Sequence, residues 1–169
     1  IIDRVKTKFQ ALEEGESKWE QVESPDHFVS MEKIFEEGSS IAVGRSVVVV
    51  DASVEDCCSW DYLKMSRELV KEHVAVGGLE RDALTFNEHH ITFRVCWAVG
   101  ALGFLPRVFV NDILLRFDDD GNRAEVFYSP TTHENFPRTP DRVRGITTTH
   151  ILIQALARKG RGRIPQTRV

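Results

Sequence analysis

Between residues 82 and 156 apolar side chains recur at every second position through the runs Asp82–Phe86, Ile91–Val99, Arg107–Phe117, Arg123–Ser129 and Arg142–Leu156. A period of two is what a half-buried strand requires, so the runs predict strands of an antiparallel sheet. Asp120-Gly121 marks a tight hairpin turn between two of them, and Pro137, Thr139 and Pro140 mark a longer loop. Three earlier runs, Trp19–Val22, Phe28–Phe35 and Ile41–Val50, are separated by Ser24-Pro25-Asp26 and by residues 36–40 and read as a meander.

Two stretches break this rhythm. Residues 1–15 place Ile2, Val5, Phe9 and Leu12 on one stripe, with Gly15 as the stop, and predict a short amphipathic helix. Ser53 followed by Asp56 resembles a capping box, so a helix is expected to start there and run to Gly77-Gly78. The order is helix, three strands, helix, then at least five strands. That is an α+β chain with a strongly curved antiparallel sheet, expected to form one domain over residues 1–169.

Composition narrows the function. A net charge of −4 argues against a general binder of phosphate backbones, so no nucleic-acid partner is expected. The positive charge that exists is gathered late, at Arg158, Lys159, Arg161, Arg163 and Arg168, where it suits a solvated hairpin or contact with anionic headgroups. Cys57, Cys58 and Cys96 are odd in number, two of them adjacent, which suits free thiols and a cytoplasmic setting. The longest apolar runs fall well short of the roughly 20 residues that span a bilayer. Because the chain opens at Ile1, a processed form or part of a longer protein with other domains is expected.

Several strings together resemble one family. Asp51-Ala52-Ser53-Val54-Glu55-Asp56-Cys57 with Trp60-Asp61 is similar to the approach to the central helix in START (steroidogenic acute regulatory protein-related lipid transfer) domains. Leu105-Pro106-Arg107-Val108-Phe109-Val110 resembles that family's proline-arginine-acid-aromatic-valine segment, with Val108 in the acid's place. Tyr128-Ser129, a proline-rich loop and Val143-Arg144-Gly145 resemble its strand, loop and valine-arginine-glycine strand, and Gly162-Arg163-Ile164-Pro165 resembles the motif before its last helix. Asn87-Glu88-His89 is similar to START-like proteins of oomycetes and related protists. The resemblance covers residues 19–169 in order. The family's C-terminal helix would be missing or lie beyond residue 169, and the stretch between Leu156 and Gly162 is short for the strand the family places there.

The resemblance implies a helix-grip fold, a curved antiparallel sheet wrapped around a helix with an internal cavity for one apolar ligand. It implies lipid binding or lipid transfer, with transient contact at a membrane surface, for a sterol, phospholipid or fatty acid. Burial of such a ligand gains about 25 cal/mol per Å². Alternation then offers wall residues. If Arg107 and Phe109 begin an inward row, Asn111 and Ile113 continue it. On the preceding strand Phe93, Val95 and Trp97 compete with Thr92, Arg94 and Cys96; Arg94, Cys96 and Trp97 are carried as candidates, Arg94 facing an anionic headgroup, a salt-bridge partner or solvent. Tyr128 joins them, and the resemblance places Ile146, Thr148, His150 and Leu152 toward the same cavity.

Other chemistries are poorly served. His89-His90, His133-Glu134 and His150 have no recognised metal-ligand spacing, so no metal or other cofactor is expected. No Gly-x-Ser-x-Gly elbow is present, and enzyme activity is not expected. The alternative to lipid transfer is an interaction or regulatory scaffold built on the same frame.

Overall fold

The computed structural model describes residues 1–15, 18–100, 103–157 and 164–169. Its helices are α1 (Ile2–Glu14), α2 (Val54–Tyr62) and α3 (Arg67–Ala75). Its strands are β1 (Glu20–Val22), β2 (Val29–Phe35), β3 (Ala42–Val50), β4 (Gly78–Asn87), β5 (His90–Trp97), β6 (Arg107–Phe117), β7 (Arg123–Pro130), β8 (Val143–Arg144), β9 (Thr149–Ala155) and β10 (Thr167–Arg168). They form one sheet in the order β1-β2-β3-β10-β9-β7-β6-β5-β4, antiparallel along this path. β8 lies off the path, parallel to the start of β6.

Two expectations change. The helix expected over 53–76 is two helices. Ser53 and Asp56 form the full capping box, but α2 stops at Tyr62, and the Ser66 hydroxyl accepts from Leu69 N–H to start α3. The run Arg142–Leu156 is likewise two strands, because the chain leaves β6 after Gly145 and rejoins the sheet beside β7 at Thr149. After Pro165 the chain forms the two-residue β10.

Register assigns each residue a face, since directly paired residues project to the same side. The pairs Phe93↔Asn111, Ile91↔Ile113↔Tyr128 and Val126↔Ile151 define one face. Against it pack Val54, Cys58 and Tyr62 of α2, which with Ile91, Phe93, Ile113, Ala124, Val126 and Ile153 make the main core. Burial pushes the Cys58 thiol up to about 12, so it stays a neutral apolar group.

The other face is covered in two places. The loop after β7 lays Phe136 against Cys96, Val108 and Val110. Farther along, α1 buries Val5, and Lys6 on α1 pairs with Glu125 at 2.7 Å. β5, β6 and β7 are thus covered on both faces, which explains why Cys96, Ile113 and Phe127 are all fully buried.

Candidate functional site

The register separates the candidate residues into groups that no single cavity can hold. Trp97, Arg107, Phe109, Asn111, Ile113 and Tyr128 lie on the face covered by α2 and α3. Arg94 and Cys96 alternate with Trp97 and point to the opposite face, where Cys96 joins the Phe136 cluster and Arg94 sits over the Phe136 ring at 5.1 Å. The expectation that Arg94 and Cys96 share a wall with Phe109 is corrected on this ground.

The expectation for β9 is corrected the same way. Tyr128 pairs with Thr149, so Thr149, Ile151 and Ile153 face α2, while His150 and Leu152 face α1. His150 stacks on Phe127 at 4.7 Å, lies near Phe9, and its Nε2 sits 3.2 Å from Glu125. Ile146 is 79% exposed, and Thr148 lies just ahead of β9.

On the helix-covered face the row divides by depth. Ile113 is fully buried against the core that α2 closes. Tyr128 is latched there too: its hydroxyl donates to the Asp61 carboxylate at 2.8 Å, and Lys64 holds that carboxylate at 2.9 Å. Burial, reinforced by Asp61, raises the Tyr128 phenol far above its ordinary range, so it remains a donor. Arg81 donates to the carbonyls of Lys64 and Leu69, tying the turn after α2 and the first turn of α3 to β4. This polar network fixes the helices on the sheet.

Toward the end of the sheet where β6 begins, the same face is less covered. Val95 and Phe109 pair there, and Trp97 pairs with Arg107; Val95, Phe109 and Trp97 are half-buried. The Phe109 ring lies over Gly145, where an added Cβ would come within 2.2 Å of it. His73 of α3 stands edge-on to Trp97 at 4.3 Å, and an added Cβ at Gly78 would meet its ring. Around this end Val74, Val76, Leu79, Phe104, Leu105 and Ile146 are exposed, an apolar rim beside the Trp97–Phe109 wall.

Two polar atoms on the α2–α3 side are buried with no hydrogen-bond partner among the described residues, the Tyr62 hydroxyl and His73 Nδ1. His73 Nε2 lies 3.1 Å from the Glu80 carbonyl, which can only accept, so Nε2 carries the proton and Nδ1 offers a lone pair. Burial lowers the His73 pKa and keeps the ring neutral. Sequence reasoning missed both residues. Helical periodicity marks them only as buried positions, and nothing local shows which buried polar atoms tertiary packing leaves unpaired.

A larger cleft of about 510 Å³ lies elsewhere, lined by Phe9 of α1, Trp19, residues 44–48 of β3, residues 149–152 and 154 of β9, and residues 168–169. Its cause is topological. Among the described residues β3 and β9 are joined through β10 and Val169, whose pairing covers Val48 to Val50 on one side and Gln154 and Ala155 on the other. Beyond β10 their facing edges are not paired with each other. Val47, Val48, Ile151 and Leu152 make the walls apolar, but two backbone edges also line the opening. Backbone N–H and C=O groups there want hydrogen bonds that a hydrocarbon cannot give.

The basic residues Arg158, Lys159, Arg161 and Arg163, and the Gly162-Arg163 half of the last motif, lie outside the described residues. Among the described residues, no helix is long and apolar enough to cross a membrane.

No family model matches the sequence, and no curated protein matches it. Solved structures do. Human StAR-related lipid transfer protein 5 superposes with a TM-score of 0.69 at 14% identity, over 98% of this chain and 76% of that one. A STAR-related lipid transfer protein fragment from Xanthomonas axonopodis gives 0.66 at 12% identity, over 89% and 78%. Human STARD10 gives 0.66 at 15% identity, over 96% of this chain and 63% of that one. At such identities the likeness establishes architecture: the chain has the START-like helix-grip fold, a curved, largely antiparallel sheet with few helices.

Proposed function

We propose that this chain is a single lipid-binding or lipid-transfer domain that holds one apolar ligand on the α2–α3 side of its sheet, against Val95, Trp97 and Phe109. The observation that carries this reading is the half-covered aromatic wall beside a rim of exposed apolar side chains. Exposed apolar surface gathered at one end of a domain marks a site of association with something apolar. The shared architecture with lipid transfer proteins adds to it.

Within that reading the candidates take different parts. Phe109 and Trp97 supply the apolar wall; Arg107, exposed at the start of β6, and Asn111, buried behind Phe109, flank it. Ile113 and Tyr128 stand behind the wall and hold α2 in place. Ile146 belongs to the rim that would meet a membrane. A ligand with an apolar body suits this wall of aromatic and aliphatic side chains. No covalent chemistry is part of the reading, and the setting it suits is the cytoplasmic surface of a membrane.

One observation favours a second reading, that of an interaction domain. The facing edges of β3 and β9 leave a gap next to β10 that an extended peptide could enter by strand addition.

The first reading is tested by extraction from vesicles. The protein is mixed with phosphatidylcholine vesicles carrying labelled cholesterol, the vesicles are sedimented, and label in the supernatant is counted. Phe109→Asp is expected to keep its fold, judged by its melting curve, and to lose most of the uptake. Equal uptake by a folded Phe109→Asp protein would remove Phe109 from the wall.

A further inference from the structure

On the opposite face of the sheet a small cleft of about 140 Å³ is lined by Arg94, Arg138, Arg142 and Arg144 with Val108, Pro137 and Thr139. Its construction follows from register. Arg144 pairs in parallel with Val108, Arg94 pairs with Val110, and both therefore share the face of those two valines. Arg142, two residues before Arg144, reaches the same side, where it pairs with Glu80. The loop that carries Phe136 brings Arg138 over the top.

The ion pairs in this cleft do not reach every guanidinium. Glu80 is shared by Arg142 and by Arg94, the latter at 3.1 Å, and Asp141 lies 3.5 Å from Arg142. Arg138 and Arg144 have no carboxylate partner among the described residues; the Arg144 guanidinium donates only to the Thr131 carbonyl, at 3.3 Å. Of the four guanidiniums, those of Arg138 and Arg144 are therefore left without an ion pair among the described residues, although Asp82 on β4 stands across from Arg94. Glu134 lines the neighbouring cleft beyond Pro137, together with Arg138 and Arg144, and pairs with neither.

Desolvation weighs on Arg144 as well. Burial lowers the Arg144 pKa, and the neighbouring Arg138 and Arg94 lower it further. Arg94 Nε is buried with no hydrogen-bond partner. Arg94, Arg142 and Arg144 are half-buried and Arg138 is exposed above them. Half-buried guanidiniums crowded together cost stability unless an anion meets them, and their forked donors match a tetrahedral oxyanion.

We propose that this cleft is a binding site for a dianionic phosphate monoester, held by Arg144 and Arg138 with Arg94 behind them. The size agrees. The cleft has the room of four or five waters at about 30 Å³ each, enough for one phosphate and too little for an acyl chain. The phosphate could come from a soluble phosphorylated compound or from a phosphomonoester lipid headgroup, since the chemistry recognised is the same. The site lies across the sheet from the apolar wall and stands or falls independently of it.

Inorganic phosphate is titrated into the whole chain while the arginine Nε–Hε resonances are followed. Saturable shifts centred on Arg144 are expected. In the double variant Arg138→Gln/Arg144→Gln the affinity is expected to fall at least tenfold, while Arg67→Gln, on the exposed side of α3, keeps it. Melting curves establish that each variant is folded. No saturable shift, or equal weakening by Arg67→Gln, would overturn the proposal. Sedimentation with phosphatidylcholine vesicles doped with phosphatidic acid or with phosphatidylserine then identifies the source. Pelleting with phosphatidic acid alone, lost in the double variant, assigns a lipid headgroup; phosphate binding without such pelleting assigns a soluble ligand.

Discussion

The sheet has two wings that share one alternating pattern and differ in what covers them. In the wing from β4 to β7 with β9, α2 and α3 close one face, and α1 and the Phe136 loop close most of the other. Its interior includes Ile113, Val126 and Phe127, all fully buried. In the wing from β1 to β3 the only buried large side chain is Ile34, and Val47 and Val49 are exposed. The wings meet through the short β10 and through α1, whose Glu13 binds Arg45 at 2.6 Å. The difference shows that alternation earns burial only where another layer is supplied, and that the candidate ligand wall stands at the open end of the covered wing.

That contrast can be broken most sharply at Phe127. Phe127→Ala is expected to destabilise by about 3–5 kcal/mol, read from denaturant unfolding, because a fully buried aromatic leaves a cavity between α1 and the sheet. Gly78→Ala should follow, at about 1–3 kcal/mol, since its Cβ would lie 2.2 Å from the His73 ring and force α3 away. A neutral result there would mean that α3 is not packed on β4 as described.

Acid should act on the covered wing next. His73 and His150 both have pKa values lowered by burial, so the unfolded chain binds protons first. Their stabilising contribution is full above the ordinary histidine value, about 6.5, and is lost as pH falls below it, by at most about 1.4 kcal/mol per pH unit for each ring. Glu125, which burial would raise but the Lys6 hydrogen bond holds below its usual value, keeps contributing until pH falls further. The melting temperature should therefore drop between pH 7 and pH 5, and His73→Gln/His150→Gln should flatten that slope. The smallest effect belongs to the lightly covered wing. Arg45→Ala, which removes the links to Glu13 and Glu32, should cost about 1 kcal/mol or less and loosen β2 and β3 in amide exchange before β6.

The period-two runs made most of the strands legible in the sequence, and the Ser53–Asp56 cap made the start of α2 legible. The run Ile41–Val50 was legible as a strand of the meander, but not that Val47 and Val49 on it stay exposed. The break at Leu63–Ser66 was hidden because both helices keep apolar residues in phase across it. For the site, alternation put Phe109, Asn111 and Ile113 in one row but could not choose between the faces of β5 and β9. That choice is made by long-range register, Tyr128 with Thr149 and Val110 with Arg94, which no local pattern encodes.

The central claim is that the wall of Val95, Trp97 and Phe109 holds one apolar ligand. Native mass spectrometry after incubation with mixed-lipid vesicles tests it most directly. The expected result is a single added mass of one lipid on the wild-type chain that is absent from folded Phe109→Asp. Only the bare polypeptide mass on the wild-type chain, at every lipid composition tried, would contradict it.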